Sequence, residues 1–312
     1  MRFMNVSLFF TSDEVLVRGF RTIKALPNIT IDDNNKRNNE RFMSFFGVST
    51  TVISFAWAYI LKSPDSGIDL KDKSEKGFQK ILTACHYLWA RPKNNEILAT
   101  TCGYNCKRHV EGENLWKYVK ALAKIKDQVI VWPETKYNNP RGQKILGTID
   151  GVDFKTREKS TDQFNQCPKQ FTYKHHHCGV KYELIVDAYT AKIVSINGPF
   201  RGGMSDKEIY QNKVKDRIPD GKFLVADRGY TNNKVPGWND KFAFPSHTDS
   251  KWLANTKSRL RCRHEAVNGK LVQFAVLHKE FTHPHDKHVF AFEAVCVLVQ
   301  LSMNFGHPIW GA

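Results

Sequence analysis

The chain has 312 residues, of which 41% are hydrophobic, and its 47 Lys and Arg against 31 Asp and Glu give a formal charge of +16. That length suits one large domain or two smaller ones with a real core, and seven cysteines at irregular spacing (85, 102, 106, 167, 178, 262 and 296) exclude a secreted disulfide framework. The cysteines read as reduced thiols of an intracellular protein, and the basic excess favours a polyanionic partner, because each neutralised phosphate releases condensed counterions.

Residues 1–38 read as a peripheral arm. The apolar stretch 6–10 is too short for a signal-peptide core or a membrane span, and no later run reaches spanning length, so no membrane association is expected. Residues 31–39 are polar and turn-rich, as in a loop or flexible arm. Over 39–132 the apolar spacing is helical. Phe42, Phe45 and Phe46 form one stripe, and Val52, Ile53, Ala56, Trp57, Ile60 and Leu61 form another. After a break at 63–67 the pattern resumes at Phe78, Ile81, Leu82, Cys85 and Leu88, and again at Leu115, Tyr118, Val119 and Leu122. Two places resemble helix-turn-helix corners: Gly47 to Ser49, and Gly103 with the basic residues Lys107 and Arg108 after it, which are candidate DNA contacts. Residues 129–132 are β-prone, and 133–143 read as a linker with two prolines.

From 144 the pattern turns to strands, and 144–312 reads as a second domain. Strands are expected at 144–156, 178–186 and 192–197, the last two joined as a hairpin. Ser205 and Glu208 have the form of a capping box, which starts a helix running to about 217. A buried-type strand at 222–226 ends at Asp227, and 241–244 reads as another short strand. A helix then carries Glu265, with Leu260, Val267, Leu271 and Phe274 on its apolar stripe, and the apolar helix 289–305 is expected to be buried. This order describes an α/β layer domain, for which a ribonuclease-H-like mixed sheet flanked by helices is one option.

Three acidic residues carry the chemistry. Asp150 and Asp227 each end an apolar run, and Glu265 sits in a basic helical segment. A buried carboxylate needs a metal, a basic partner or its own proton. Oxygen ligands from two strands and a helix suit hard divalent cations, and a pair of such ions stabilises both the attacking and the leaving oxygen of a phosphodiester. The plainer readings are Asp capping a turn before Gly, and Glu265 pairing with Arg261 on the surface. Asp153 competes with Asp150 but lies on the opposite strand face. Arg228, Arg261 and Arg263 are placed to contact phosphate. Lys234, Lys241, Lys251 and Lys257, with Trp238 and Trp252 among them, are candidates to line a DNA groove. Zinc at His175 to Cys178, or at Cys102, Cys106 and His109, is disfavoured by spacing, and no Walker-type loop occurs.

In these frames the chain resembles the DDE-type transposases of the eukaryotic PIF/Harbinger group. The likeness runs from about 145 to 308, through Gly147-Thr-Ile-Asp150-Gly-Val-Asp, Asn197-Gly-Pro-Phe200, Ala226-Asp227-Arg-Gly-Tyr230 and His264-Glu265-Ala-Val-Asn-Gly-Lys270. It implies a ribonuclease-H-like fold, a helix-turn-helix region before it, a nuclear location and double-stranded DNA as substrate. It also implies Mg²⁺ or Mn²⁺, two ions, held by Asp150, Asp227 and Glu265 as the catalytic triad with Asp150 shared between them. A Myb-like partner protein is implied for DNA recognition, and joining two DNA ends favours a homodimer. The segment 155–160 is more basic than that pattern. A catalytically decayed or host-adopted DNA-binding derivative therefore stays open as an alternative, as does a ribonuclease-H-like nuclease acting on RNA or a hybrid.

Overall fold

The computed structural model describes residues 10–23, 35–157, 171–172 and 176–305. The expected features at 6–9, 31–34, 158–160, His175 and 306–308 lie outside these. The chain divides into two compact units, one of residues 1–129, 271–279 and 286–312, the other of 130–270 and 280–285.

The first unit is helical. It holds α1 (Ser12–Thr22), α2 (Asn35–Phe46), α3 (Thr50–Lys62), α4 (Glu75–Ala90), α5 (Asn95–Thr101), α6 (Glu113–Lys124) and α7 (Lys126–Val129), with two later helices described below. The stretch read as a peripheral arm contains a packed helix. Thr11 and Glu14 form a capping box at the start of α1, and Val15, Leu16 and Phe20 are buried. Residues 35–39, expected to be a loop, open α2, where Asn38 is buried and Asn39 Oδ1 accepts the Thr50 hydroxyl at 3.1 Å. The first corner forms as expected. α2 stops at Phe46, Gly47 turns with φ +74°, and the Ser49 hydroxyl caps α3 by accepting from the Val52 amide. Any side chain at Gly47 would strike the Trp89 ring, since a Cβ there falls 2.4 Å from it.

Val129, the first residue of the run 129–132 read as β-prone, closes the short helix α7, and residues 130–132 form no strand. No single helix among the described residues is long and apolar enough to cross a membrane; α2 and α3 pass that test only as a pair bent by 57°.

The second unit is built on a mixed sheet. Its strands are β1 (Ile145–Lys155), β2 (Phe171–Thr172), β3 (His177–Asp187), β4 (Ile193–Arg201) and β5 (Phe223–Val225). β1 is central: it runs antiparallel to β3 on one side and parallel to β5 on the other, while β4 pairs with the outer edge of β3 and β2 with its beginning. The central place follows from a strand that is apolar on both faces, with Leu146, Ile149, Val152 and Phe154 all buried. Gly147 is required by the pairing, because a Cβ there would lie 2.3 Å from the Val186 carbonyl oxygen of β3. The β3–β4 turn is held by Asp187, whose Oδ1 accepts from the Tyr189 and Thr190 amides and the Thr190 hydroxyl.

The stretch read as a linker carries a short helix, α8 (Glu134–Tyr137). Tyr137 is fully buried and its hydroxyl donates to Asp187 Oδ2 at 2.8 Å, so this segment is anchored to the sheet unit. On the same side lie α9 (Asp206–Lys213), which the Ser205 hydroxyl caps by accepting from the Glu208 amide and which ends short of the expected 217, where a 3-10 turn follows, and a core of Ile149, Ile185, Tyr210, Leu224 and Trp238. The strand expected at 241–244 is reduced to one parallel bridge between Phe242 and Leu224. The other face of the sheet is covered by α10 (Lys251–Val272), through Leu260 against Ala188 and Val225. After it come α11 (Ala275–His278) and α12 (His285–Asn304), which belong to the helical unit apart from the start of α12; α12 is buried over most of its length, as expected. A mixed sheet of this strand order with flanking helices, preceded in the chain by a helical region, is an α/β fold consistent with the ribonuclease-H-like architecture.

A carboxylate-lined cleft as candidate active site

β1 and β5 run parallel and adjacent, so residues at equivalent heights on them come side by side. Thr148 pairs with Val225, which sets Asp150, two residues on from Thr148, beside Asp227, two residues on from Val225. On the face of β1 that carries Thr148 and Asp150 lies α10. The Thr148 hydroxyl and His264 Nδ1 are 2.7 Å apart, and Asn268 Nδ2 donates to Asp150 Oδ2 at 3.4 Å. These two links set the height of the helix along the strand, so Glu265, next to His264, arrives at the level of the two aspartates. Asp150, Asp227 and Glu265 line one cleft of about 210 Å³ together with Thr148, Arg261 and His264.

Asp150 is half-buried, whereas Asp227 and Glu265 are exposed. Two backbone amides orient the aspartates. Gly151 N donates to Asp150 Oδ1 at 3.0 Å, and Gly229 N to Asp227 Oδ1 at 2.7 Å. Asp227 thereby caps the turn Arg228–Tyr230, as the plainer reading of its Asp-Arg-Gly frame expected, while its side chain still borders the cleft. His264 is buried, and burial pushes its imidazole down to about 4, so it is neutral near pH 7; its Nε2 has no hydrogen-bond partner.

Asp153 points to the other face, as the alternation of β1 requires. There Lys181 Nζ lies 4.0 Å from Asp153 Oδ1 and 3.1 Å from Asp206 Oδ1, which gives both acids a counter-charge away from the cleft. Also on that face is an acid that the sequence reading missed. Glu183, opposite Gly151 in the sheet, is fully buried. It accepts from Asn197 Nδ2 at 3.1 Å and from the Tyr230 hydroxyl at 3.3 Å. Burial pushes its carboxyl up to about 8, and the charges of Asp206 and Asp150 add to that against the pull of the two hydrogen bonds. Its one signal in the sequence is an acid inside the largely apolar run of β3. Tyr230 therefore ties the turn that begins at Asp227 to a carboxyl holding its proton at neutral pH.

The basic residues separate. Arg261 lines the cleft, and Arg228 is exposed in the turn after Asp227. Arg263 does not join them: its Nη1 donates to the Ala188 carbonyl at 2.7 Å, on the other flank of α10. Lys107 and Arg108 lie in the helical unit on a single 3-10 turn instead of a recognition helix, and Lys107 is 3.7 Å from both Glu96 and Glu111. α3, the second helix of the other corner, carries one basic residue, Lys62, and buries most of its length. The proposed lysine and tryptophan groove does not assemble. Trp238 is buried and donates to the Tyr230 carbonyl, Lys241 is bound to Asp220, and Lys257 is buried on Asp249; Trp252 alone of the pair is exposed.

Among the described residues no group of three or more His, Cys, Asp or Glu forms a ready cage for one metal ion. His177 faces Glu280 at 3.5 Å, and the His109 ring stacks on Tyr104. The cleft offers three carboxylates, from β1, the end of β5 and α10, beside the Thr148 hydroxyl and the neutral His264 imidazole. Mg²⁺ is ordinarily bound by one or two carboxylates, with water and substrate phosphate completing its shell, so the donor set fits that class of ion.

No curated protein and no solved structure matches the chain. Residues 149–300 match the family described as DDE superfamily endonuclease. The matched segment begins just before Asp150 and takes in Asp227 and Glu265.

Proposed function

We propose that the chain is a metal-dependent DNA endonuclease of transposase type, hydrolysing phosphodiesters at the Asp150, Asp227 and Glu265 cleft. The observation that carries this reading is the meeting of those three carboxylates, from β1, the end of β5 and α10, in one cleft within the segment that matches the endonuclease family. The three side chains would hold Mg²⁺ or Mn²⁺, and bound ions would supply Lewis-acid activation of the nucleophile and charge neutralisation at the leaving oxygen.

The protein's own groups do the positioning. The Gly151 and Gly229 amides and the Asn268 carboxamide fix the rotamers of the two aspartates, so their oxygens need little reorganisation when a phosphodiester enters. Arg261 lines the same cleft from α10 and would take a phosphate oxygen. Neutral His264 and Thr148 brace the helix on the strand without adding charge to the site. In the same reading the substrate is double-stranded nuclear DNA, and the subgroup is PIF/Harbinger. A 3′-hydroxyl replaces water in a strand-transfer step, two copies join two DNA ends, and a Myb-like partner contributes target recognition. The net charge of +16 supports the polyanionic substrate.

The test is nicking of supercoiled DNA by the purified full chain with Mg²⁺ or Mn²⁺. Asp150→Asn and Asp227→Asn should each lower cleavage by roughly 100-fold or more while retaining most duplex affinity. Equal nicking by wild type and both variants contradicts the reading. Duplex binding by a wild-type chain that nicks with neither metal points to the non-catalytic derivative.

A further inference from the structure

The flank of α10 away from the carboxylates bears a second concavity, of about 520 Å³, within the sheet unit. Trp252, Thr256, Arg259 and Arg263 line it from one stripe of the helix, at three- and four-residue steps. Its floor is apolar, from Ile145 and Leu260. Its aromatic members are the two most exposed large apolar side chains among the described residues: Trp252 is 73% and Tyr189 66% exposed. Lys144, Arg259 and Arg263 also line it, and none of the lining residues is acidic. Arg263 is fixed by its bond to the Ala188 carbonyl, so the cationic edge is partly preorganised.

Two large aromatics left in water beside an apolar floor cost solvation unless something covers them. A lining with cations and no acid selects an anionic occupant, and flat aromatic faces select a planar one. A stacked duplex keeps its bases out of reach, whereas a nucleotide turned out of its stack offers both a base face and a phosphate. The volume is within the range of pockets that take small organic groups of that size.

We propose that this groove binds unpaired nucleotides of a DNA strand, with bases stacked on Trp252 and Tyr189 and phosphates held by Lys144 and Arg259. The inference rests on the endonuclease reading and extends it from the scissile phosphate to the neighbouring strand. Arg259 and Glu265 are six residues apart on α10, about 9 Å of helix axis, and face different flanks of it.

The experiment measures binding in EDTA, where nothing is cut. Fluorescein-labelled dT12, an abasic 12-mer with the same phosphates, and a 12-base-pair duplex are titrated against wild type, Trp252→Ala, Tyr189→Ala and Arg259→Ala. Wild type should bind dT12 roughly tenfold more tightly than the abasic strand, and Trp252→Ala should remove that difference while leaving duplex and abasic affinities unchanged. Both aromatic sites are on the surface, and circular dichroism checks that the variants remain folded. The proposal is overturned if Trp252→Ala and Tyr189→Ala bind dT12 as wild type does, if the losses are equal on all three DNAs, or if a poly-glutamate peptide displaces dT12 with equal potency from wild type and Trp252→Ala. These outcomes are independent of the nuclease reading. Loss of the stacking effect with metal-dependent nicking intact removes only the groove, and the reverse result removes only the nuclease.

Discussion

Glu183→Gln separates the two states of a buried acid. The wild-type carboxyl is fully buried and pushed up to about 8 from an ordinary value of 4.5, first by burial and then by the charges of Asp206 and Asp150. Between those two values the folded chain keeps a proton that the unfolded chain has released. The folded state then binds more protons than the unfolded state, so stability falls as pH rises through this window and levels off above it. One proton changes stability by up to about 1.4 kcal/mol per pH unit, which makes the loss between pH 5 and pH 8 on the order of 4 kcal/mol. Gln is isosteric with the protonated acid and has no proton to lose: its Oε1 can accept from Asn197 as Glu183 Oε1 does, and its Nε2 stands where Glu183 Oε2 meets the Tyr230 hydroxyl, which turns to accept from it. Urea unfolding of the full chain in EDTA at pH 5, 6.5 and 8, followed by tryptophan fluorescence, should give similar stabilities at pH 5 and a variant several kcal/mol more stable at pH 8. A difference that stays constant with pH, or a variant weaker than wild type at pH 8, refutes a buried proton at Glu183.

Two further substitutions test the frame around the cleft. Gly147→Ala puts a methyl carbon 2.3 Å from the Val186 carbonyl oxygen in the central strand pair, and should cost about 3 kcal/mol in urea melts; a loss below about 1 kcal/mol means that the strands can part without penalty. Thr148→Val removes the partner of His264 Nδ1 in a site where Nε2 already lacks one. Unfolding measurements should show a loss of about 1–3 kcal/mol, and an unchanged midpoint would mean that the hydroxyl contributes nothing to docking α10.

The sheet was legible because its central strand is apolar on both faces and a short turn at 187–191 separates the next two β-prone runs. The Ser205 cap was readable from its spacing. Asp150 and Asp227 stood out because each ends such a strand, and Glu265 because it lies off the apolar stripe of its helix. Local propensity misled where packing decided. Residues 35–39 are rich in Asn, a poor helix former, yet Asn38 is buried in α2. Residues 129–132 look β-prone, but Val129 closes a helical turn. Tyr137 sits in a segment with two prolines and reads as linker until its hydroxyl is seen to meet Asp187. Trp238 and Trp252 both lie among lysines, and no local signal tells that the first is core and the second surface. Glu183 was passed over because a single acid in a strand does not reveal which neighbours enclose it.

The most direct test of the central claim is the number of Mn²⁺ ions bound by the full chain without DNA, read by electron paramagnetic resonance of free Mn²⁺. Wild type should take up the ion, and a chain carrying Asp150→Asn, Asp227→Asn and Glu265→Gln should take up none at the same concentration while remaining folded. Equal uptake by the two proteins would contradict the assignment of these three carboxylates as the metal site.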